Sequence, residues 1–96
     1  MAERHLQKKC EEWATAQGWF VRRAIWNGRR GAPDSLFIRA GRHIWIEFKQ
    51  GNDYTTSALQ NLEHKRMREA GAEVHVVRSY VEFLKIFETC PKLTYQ

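Results

Sequence analysis

The chain has 96 residues, 43% of them hydrophobic, including four Trp and five Phe. This length and composition suit one domain with its own apolar core and exclude a disordered chain. No apolar run approaches the roughly 20 residues that span a bilayer, and the first residues lack the apolar stretch of a signal peptide. The formal net charge of +5 favours an acidic partner. We therefore predict a single cytoplasmic domain over residues 1–96, without membrane association.

The first third of the chain predicts a helix, a strand and a basic loop. Residues 3–16 carry apolar side chains at helical spacing, and Glu3 projects from the same face. Residues 19–25 are rich in the aromatic and β-branched side chains that strands favour. Residues 27–33 follow as a basic loop that contains two glycines.

The middle of the chain predicts a β-hairpin. Residues 36–39 and 43–48 form its two arms, with the turn at residues 40–42. Alternation along the second arm sends Glu47 and Lys49 to the same face at the open end of the sheet. Both faces of this arm are otherwise largely apolar, so helices should cover both sides of the sheet.

The last part predicts a helix at 56–70, a strand at 74–77 and a final helix to about residue 88. A capping box, Ser79 to Glu82, opens the final helix. The order α-β-β-β-α-β-α predicts an α/β fold in which helices flank a mixed four-stranded sheet.

The excess positive charge is confined to residues 22–49. Seven basic and two acidic residues fall there, whereas the rest of the chain has nine of each. A local basic field of this kind favours binding to a phosphate backbone, although ordinary surface arginines would also account for some of it. The basic residues are Arg22, Arg23, Arg29, Arg30, Arg39, Arg42 and Lys49.

The two acidic residues of this basic stretch, Asp34 and Glu47, lie at the ends of neighbouring predicted strands. Lys49 shares a strand face with Glu47, because residues i and i+2 of a strand point the same way. Glu63 and Lys65 have the same spacing, but they fall in a predicted helix and point apart. Two carboxylates and a lysine that converge can hold a divalent cation against a phosphodiester. The alternative is a salt-bridged strand end that faces solvent.

The cysteines and histidines do not have the spacings of metal ligands. Cys10 and Cys90 are interpreted as free thiols. The histidines are His5, His43, His64 and His75.

The motifs together resemble the PD-(D/E)xK nuclease superfamily and, within it, the VRR-NUC (virus-type replication-repair nuclease) domain. The resemblance implies a restriction-endonuclease-like core and extends over nearly the whole chain, to about Phe87. Its matching pieces are Glu3, Val21-Arg22-Arg23, Gly31-Ala32-Pro33-Asp34, Ile46-Glu47-Phe48-Lys49, Gln60 and Gly71.

Mg²⁺ or Mn²⁺ is the cofactor that this site implies. Asp34 and Glu47 offer the oxygen ligands that Mg²⁺ prefers, and the resemblance adds the carbonyl oxygen of Phe48. Lys49 would orient the attacking water or stabilise the developing negative charge.

The expected catalytic set also includes Glu3 and Gln60, and the sequence allows more than one role for each. Glu3 would bind a second metal, bind through water, or stabilise the N-terminus of its helix through the helix dipole. Gln60 would hydrogen-bond a site water, a carboxylate or a phosphate, or lie on the helix surface in solvent.

The resemblance implies a metal-dependent DNA endonuclease that prefers branched or flap DNA, acts as a homodimer and comes from a phage or prophage. Contacts to the DNA backbone, with low sequence specificity, are expected from Arg22, Arg23, Arg29, Arg30 and Arg42. Two alternatives stay open: a nucleic-acid-binding module without catalysis, and an RNA-directed nuclease on the same fold.

Overall fold

The computed structural model describes residues 2–25, 31–49 and 57–88, with side chains from His5 onward. Within these ranges the elements follow the predicted order α-β-β-β-α-β-α. They are α1 (Ala2–Ala16), β1 (Phe20–Arg23), β2 (Ser35–Arg39), β3 (Arg42–Phe48), α2 (Ala58–Glu69), β4 (Glu73–Val77) and α3 (Tyr80–Glu88). Residues 27–30 of the predicted basic loop lie outside the described ranges. So do residues 50–56, which include the predicted start of the second helix.

The four strands form one mixed sheet in the order β1-β2-β3-β4, as predicted. β2 pairs antiparallel with β1 and β3, whereas β4 pairs parallel with β3. Because only β2 runs in the opposite direction, its first residue lies at the same end of the sheet as the last residues of the other three strands. We call this end, which contains Asp34 and Lys49, the Asp34 end, and we call the opposite end, which contains Ala40 and Gly41, the hairpin end.

The hairpin between β2 and β3 has a two-residue turn. Ala40 and Gly41 both have positive φ, 52° and 84°, as in the turn that best matches the twist of a hairpin. The prediction placed the turn at residues 40–42, but Arg42 is the first residue of β3 and lies opposite Arg39. The correction moves Arg42 from a loop into the sheet.

The main core lies on one face of the sheet, where α1 and α3 pack together and against β3 and β4. Phe37 and the apolar residues of β3 meet an aromatic cluster from α3, in which the rings of Phe83 and Phe87 stack with centroids 4.2 Å apart. Cys10 of α1 is fully buried here, and this burial raises its pKa to about 12. The buried members of the core are Leu6, Cys10, Ala14, Trp19, Phe37, Ile44, Ile46, Phe48, Val77, Phe83 and Phe87.

The other face of the sheet receives α2, which packs against β4. Helices therefore cover both faces of the sheet, as predicted from the apolar character of both sides of β3. None of the helices within the described ranges has the length and apolar character needed to cross a membrane.

Candidate metal and phosphodiester site

Asp34 connects β2 to the end of β3 through both its backbone and its side chain. Its backbone N–H donates to the carbonyl oxygen of Ile46, with 3.0 Å between nitrogen and oxygen. The N–H of Phe48 donates to Asp34 Oδ2 at 2.8 Å. These two bonds hold the Asp34 carboxylate beside the last residues of β3, where the sequence predicted convergence.

Glu47 is a buried carboxylate, with only 3% of the residue exposed. It lies on the α2 side of β3, because the neighbouring Ile46 and Phe48 face the core on the other side. Its Oε2 accepts a hydrogen bond of 2.8 Å from Gln60 Nε2. Burying a carboxylate is costly without such partners, so the position of Glu47 calls for a role beyond packing.

Lys49 joins the same side of the sheet end, as the alternation of β3 predicts. Its Nζ lies 3.9 Å from Glu47 Oε2, and its side chain is 14% exposed. This separation is that of an ion pair rather than of a direct hydrogen bond. The backbone N–H of Lys49 donates to the carbonyl oxygen of Val77 at 2.9 Å, which extends the β3–β4 pairing to this residue.

Gln60 is positioned by the N-terminus of α2. Its side-chain Oε1 accepts from the Ser57 N–H at 3.0 Å, and its own N–H donates to Ser57 Oγ at 3.1 Å. These reciprocal bonds form a capping box. The carbonyl end of the Gln60 amide therefore anchors the helix while the NH₂ end donates to Glu47. The Gln60 side chain therefore contacts a carboxylate of the predicted site, and its functional role stays a prediction.

Gly31 explains how the segment before Asp34 approaches α2. Its φ is +86°, and a Cβ at this position would lie 2.6 Å from the carbonyl oxygen of Leu59 and 2.8 Å from the nitrogen of Gln60. A side chain larger than hydrogen is therefore excluded twice, by conformation and by contact. The absence of a side chain lets the chain pass directly over the first turn of α2.

Glu3 lies in the first turn of α1, and its side chain is outside the described part of the structure. Gln7, one helical turn later, donates from Nε2 to Ser35 Oγ at 2.9 Å. Ser35 in turn donates to Glu11 Oε2 at 2.7 Å. This network fixes α1 against the residue that follows Asp34, at the Asp34 end of the sheet.

The predicted nucleic-acid-binding arginines divide between the two ends of the sheet. Arg22 and Arg23 lie in the last part of β1, at the Asp34 end. Arg23 Nε donates to Glu11 Oε1 at 2.9 Å. Arg42 lies at the hairpin end, where it donates two hydrogen bonds to Glu73, of 2.9 and 2.6 Å. Arg29 and Arg30 are outside the described residues.

The sequence analysis did not single out His64, which is 1% exposed on α2. Burial is the largest of the effects that lower its pKa, followed by the nearby positive charge of Arg68. The sequence analysis weighed the histidines as metal ligands or catalytic groups, not as positioning residues, and therefore passed over His64. The available signal was its spacing from Gln60, because residues four apart share a helix face.

Comparison with known proteins identifies similar solved structures. One, described as a VRR_NUC domain, is 34% identical with a TM-score of 0.84, and the alignment covers 93% of this chain and 97% of that one. A second, described as a VRR_NUC domain protein, is 14% identical with a TM-score of 0.77, and its alignment covers 92% of this chain and 86% of that one. The second likeness shows the fold alone. No family model matches the chain, and no curated protein matches it.

Proposed function

Because this chain belongs to the VRR-NUC family of nuclease domains, we propose that it is a Mg²⁺- or Mn²⁺-dependent endonuclease that hydrolyses DNA phosphodiester bonds. One observation carries this proposal: the buried carboxylate of Glu47 lies beside Lys49 on the strand that also binds the Asp34 side chain. The proposal covers residues 1–96 as one domain.

The chemistry of the donor set fits a hard divalent cation. Mg²⁺ is usually held in proteins by one or two carboxylates, with water and phosphate oxygens completing its shell. Asp34 and Glu47 supply two carboxylates, and the carbonyl oxygen of Phe48 would be a third protein ligand. Within the described ranges no three His, Cys, Asp or Glu side chains gather around one point, so water and phosphate oxygens would have to complete the shell of the proposed ion.

A bound Mg²⁺ would polarise the scissile phosphate and lower the pKa of a water molecule. Lys49, as a compact cation with three N–H donors, would orient the attacking water or stabilise the charge that develops on the phosphate. Gln60 would hold Glu47 in place through its amide, and Glu3 would approach from α1.

The proposed path of the DNA backbone runs along the Asp34 end. Arg22 and Arg23 at the end of β1, with Arg29 and Arg30 after it, would contact phosphates without reading bases. The sequence also predicted that Arg42 contacts DNA. Arg42 lies at the hairpin end, and an experiment in the Discussion tests whether it contacts DNA.

One site of this kind cuts one strand, so cleavage of both strands of branched or duplex DNA calls for two. A two-fold homodimer would pair the sites. The dimer, the preference for branched DNA, a phage or prophage origin and action in the cytoplasm belong to the same proposal. Sedimentation together with the ratio of nicked to doubly cut product tests the dimer.

The proposal is tested by incubating the protein with a labelled four-way DNA junction, a linear duplex and an RNA of the same sequence. Each is treated with Mg²⁺, Mn²⁺ or EDTA. Asp34→Asn keeps an oxygen that can accept from the Phe48 N–H but removes the charge, and Lys49→Ala removes the ammonium. Lys65→Ala is the matched control, because Lys65 is an exposed helix lysine paired with Glu69.

We expect metal-dependent DNA cleavage that falls about a thousandfold in Asp34→Asn and Lys49→Ala, which corresponds to roughly 4 kcal/mol. Lys65→Ala should cleave like the wild type. Salt-sensitive DNA binding without cleavage under either metal would instead favour the non-catalytic binding module. Cleavage confined to RNA would favour the RNA-directed nuclease.

A further inference from the structure

His64 makes a contact that joins α2 to the segment before Asp34. Its ring hydrogen-bonds to the backbone of Gly31. The other ring nitrogen, Nε2, is buried without a hydrogen-bond partner among the residues that the structure describes, so we assign the bond to Nδ1. An imidazole that donates through Nδ1–H can bond only to the carbonyl oxygen of Gly31, so we take that oxygen as the acceptor.

The same glycine is also held by packing. Its φ of +86° and its close approach to the backbone of Leu59 and Gln60 leave no room for a Cβ. Gly31 therefore contacts the first turn of α2 directly and accepts a hydrogen bond from the second turn through His64. Two contacts of different kinds fix one residue to one helix.

The position of Gly31 is transmitted to Asp34 over a short segment. Pro33 lies between them and is buried, and a proline restricts both its own φ and the backbone of the residue before it. A displacement of Gly31 would therefore move Asp34 rather than be absorbed by the intervening backbone. Glu47 depends on α2 in a parallel way, through its hydrogen bond from Gln60.

We propose that His64 is a positioning residue of the nuclease site. Through Gly31 it fixes the Asp34 carboxylate relative to α2, while Gln60, one turn earlier on the same helix face, fixes Glu47. One helix face thereby sets the separation of the two carboxylates that would share the metal ion. This inference rests on the proposed function, which it deepens by naming the device that aligns its ligands.

The test uses two amide variants that differ in which ring nitrogen they replace. The Nδ2 of Asn occupies the place of His Nδ1, so His64→Asn keeps the donor to Gly31. The Nε2 of Gln occupies the place of His Nε2, so His64→Gln loses that donor. His43→Gln is the matched control, because His43 is exposed on β3.

Mn²⁺ binding to each protein is measured by calorimetry without DNA, beside the melting temperature and the metal dependence of cleavage. We expect His64→Gln to bind Mn²⁺ about ten- to a hundredfold more weakly, as for other residues that orient metal ligands. His64→Asn should stay within about threefold of the wild type, although both variants melt earlier because each is smaller than the ring it replaces. His43→Gln should change neither property.

Equal Mn²⁺ affinity in the wild type and both His64 variants would overturn the inference and leave His64 as a packing residue. Long-range ¹H–¹⁵N spectra of the wild type provide an independent test, because they show which ring nitrogen of His64 carries the proton. A proton on Nε2 rather than Nδ1 would overturn the inference even if no variant folds. A wild type that binds Mn²⁺ but cuts no nucleic acid would contradict the proposed function, and the Mn²⁺ affinities of the variants would still decide the role of His64.

Discussion

The two ends of the sheet use similar charged side chains in different ways. At the hairpin end, Glu73 accepts two hydrogen bonds from Arg42 and lies 2.8 Å from His75 Nε2, with its side chain 30% exposed. At the Asp34 end, the buried Glu47 accepts from the neutral amide of Gln60, and its lysine neighbour lies 3.9 Å away.

This difference distinguishes a stabilising ion pair, at Glu73, from the proposed metal site, at Glu47. A bidentate arginine neutralises a carboxylate and satisfies its oxygens, so Glu73 is already matched by a cation of the protein. An amide donor orients a carboxylate without cancelling its charge. Glu47 is therefore fixed in position by a neutral donor, with the Lys49 ammonium 3.9 Å away rather than in direct hydrogen bond, an arrangement compatible with the proposed role as a metal ligand.

Removing the negative charge of the glutamate at each end tests this comparison most directly. Glu47→Gln should reduce cleavage about a thousandfold, because it removes one of the two proposed carboxylate ligands. Glu73→Gln should leave the cleavage rate within about twofold of the wild type, since a partly exposed ion pair contributes only about 1 kcal/mol or less to stability. Single-turnover cleavage with excess enzyme measures both, and equal losses in the two variants would contradict the distinction.

Glycines at the two ends provide the second contrast. Gly31→Ala should lower the free energy of unfolding by about 3 kcal/mol or more, because the new Cβ would clash with the α2 backbone and alanine would have to adopt a left-handed φ. Gly41→Ala has a similar φ of +84° but open space around the Cβ, so it should cost only about 1 to 2 kcal/mol. Urea denaturation measures both, and the prediction fails if the two costs are equal.

The hydrogen bond to Glu47 can be separated from the helix cap. Gln60→Ala removes the bond to Glu47 together with the half of the capping box that its side chain makes, but it keeps the backbone N–H that donates to Ser57 Oγ. Ser57→Ala removes that other half of the cap and leaves the amide that donates to Glu47. We expect Gln60→Ala to weaken Mn²⁺ binding about ten- to a hundredfold. Ser57→Ala should cost about 1 kcal/mol of stability with nearly unchanged metal affinity. A loss of affinity in Ser57→Ala as large as that in Gln60→Ala would show that helix order, rather than the amide contact, matters.

The salt dependence of DNA binding should distinguish Arg22 from Arg42. Arg22→Ala, at the Asp34 end, should reduce the slope of log affinity for DNA against log salt by about 1, as the loss of a phosphate contact does. Arg42→Ala should leave the slope unchanged if its pair with Glu73 is structural. A reduced slope in Arg42→Ala would instead support the sequence-based prediction that Arg42 contacts DNA.

The smallest expected effect is the pH dependence of the Arg42–Glu73 pair. The hydrogen bonds from Arg42 hold the pKa of Glu73 below its usual 4.5. The pair therefore stabilises the fold above about pH 4.5 and loses this contribution as the pH falls through the lower pKa of the folded state. The free energy of unfolding of the wild type should exceed that of Arg42→Ala by at most about 1 kcal/mol at pH 7, and the difference should shrink as the pH is lowered below 4.5. Thermal unfolding over this pH range measures the difference.

The strand pattern predicted the fold and part of the site, because alternation and turn chemistry are local properties. Glu47 and Lys49 share a face as the i, i+2 rule requires, and Asp34 lies beside them because the hairpin register is set by its turn. The pairing of Arg42 with Glu73 could not be predicted, since it depends on the parallel register of β3 with β4 across a long crossover. His64 was missed for a similar reason: its partner, Gly31, lies far away in sequence, in the segment before β2.

The Ala40–Gly41 turn has a practical consequence. Both residues are exposed and join strands whose other ends lie about 20 Å away at the Asp34 end, given some 3.3 Å per strand residue. Exposed turns of this kind tolerate insertions and new chain termini. A fluorophore, an affinity peptide or a tether to a second protein inserted here should leave the carboxylates undisturbed. The hairpin tip is therefore the natural attachment point for following this domain on single DNA molecules.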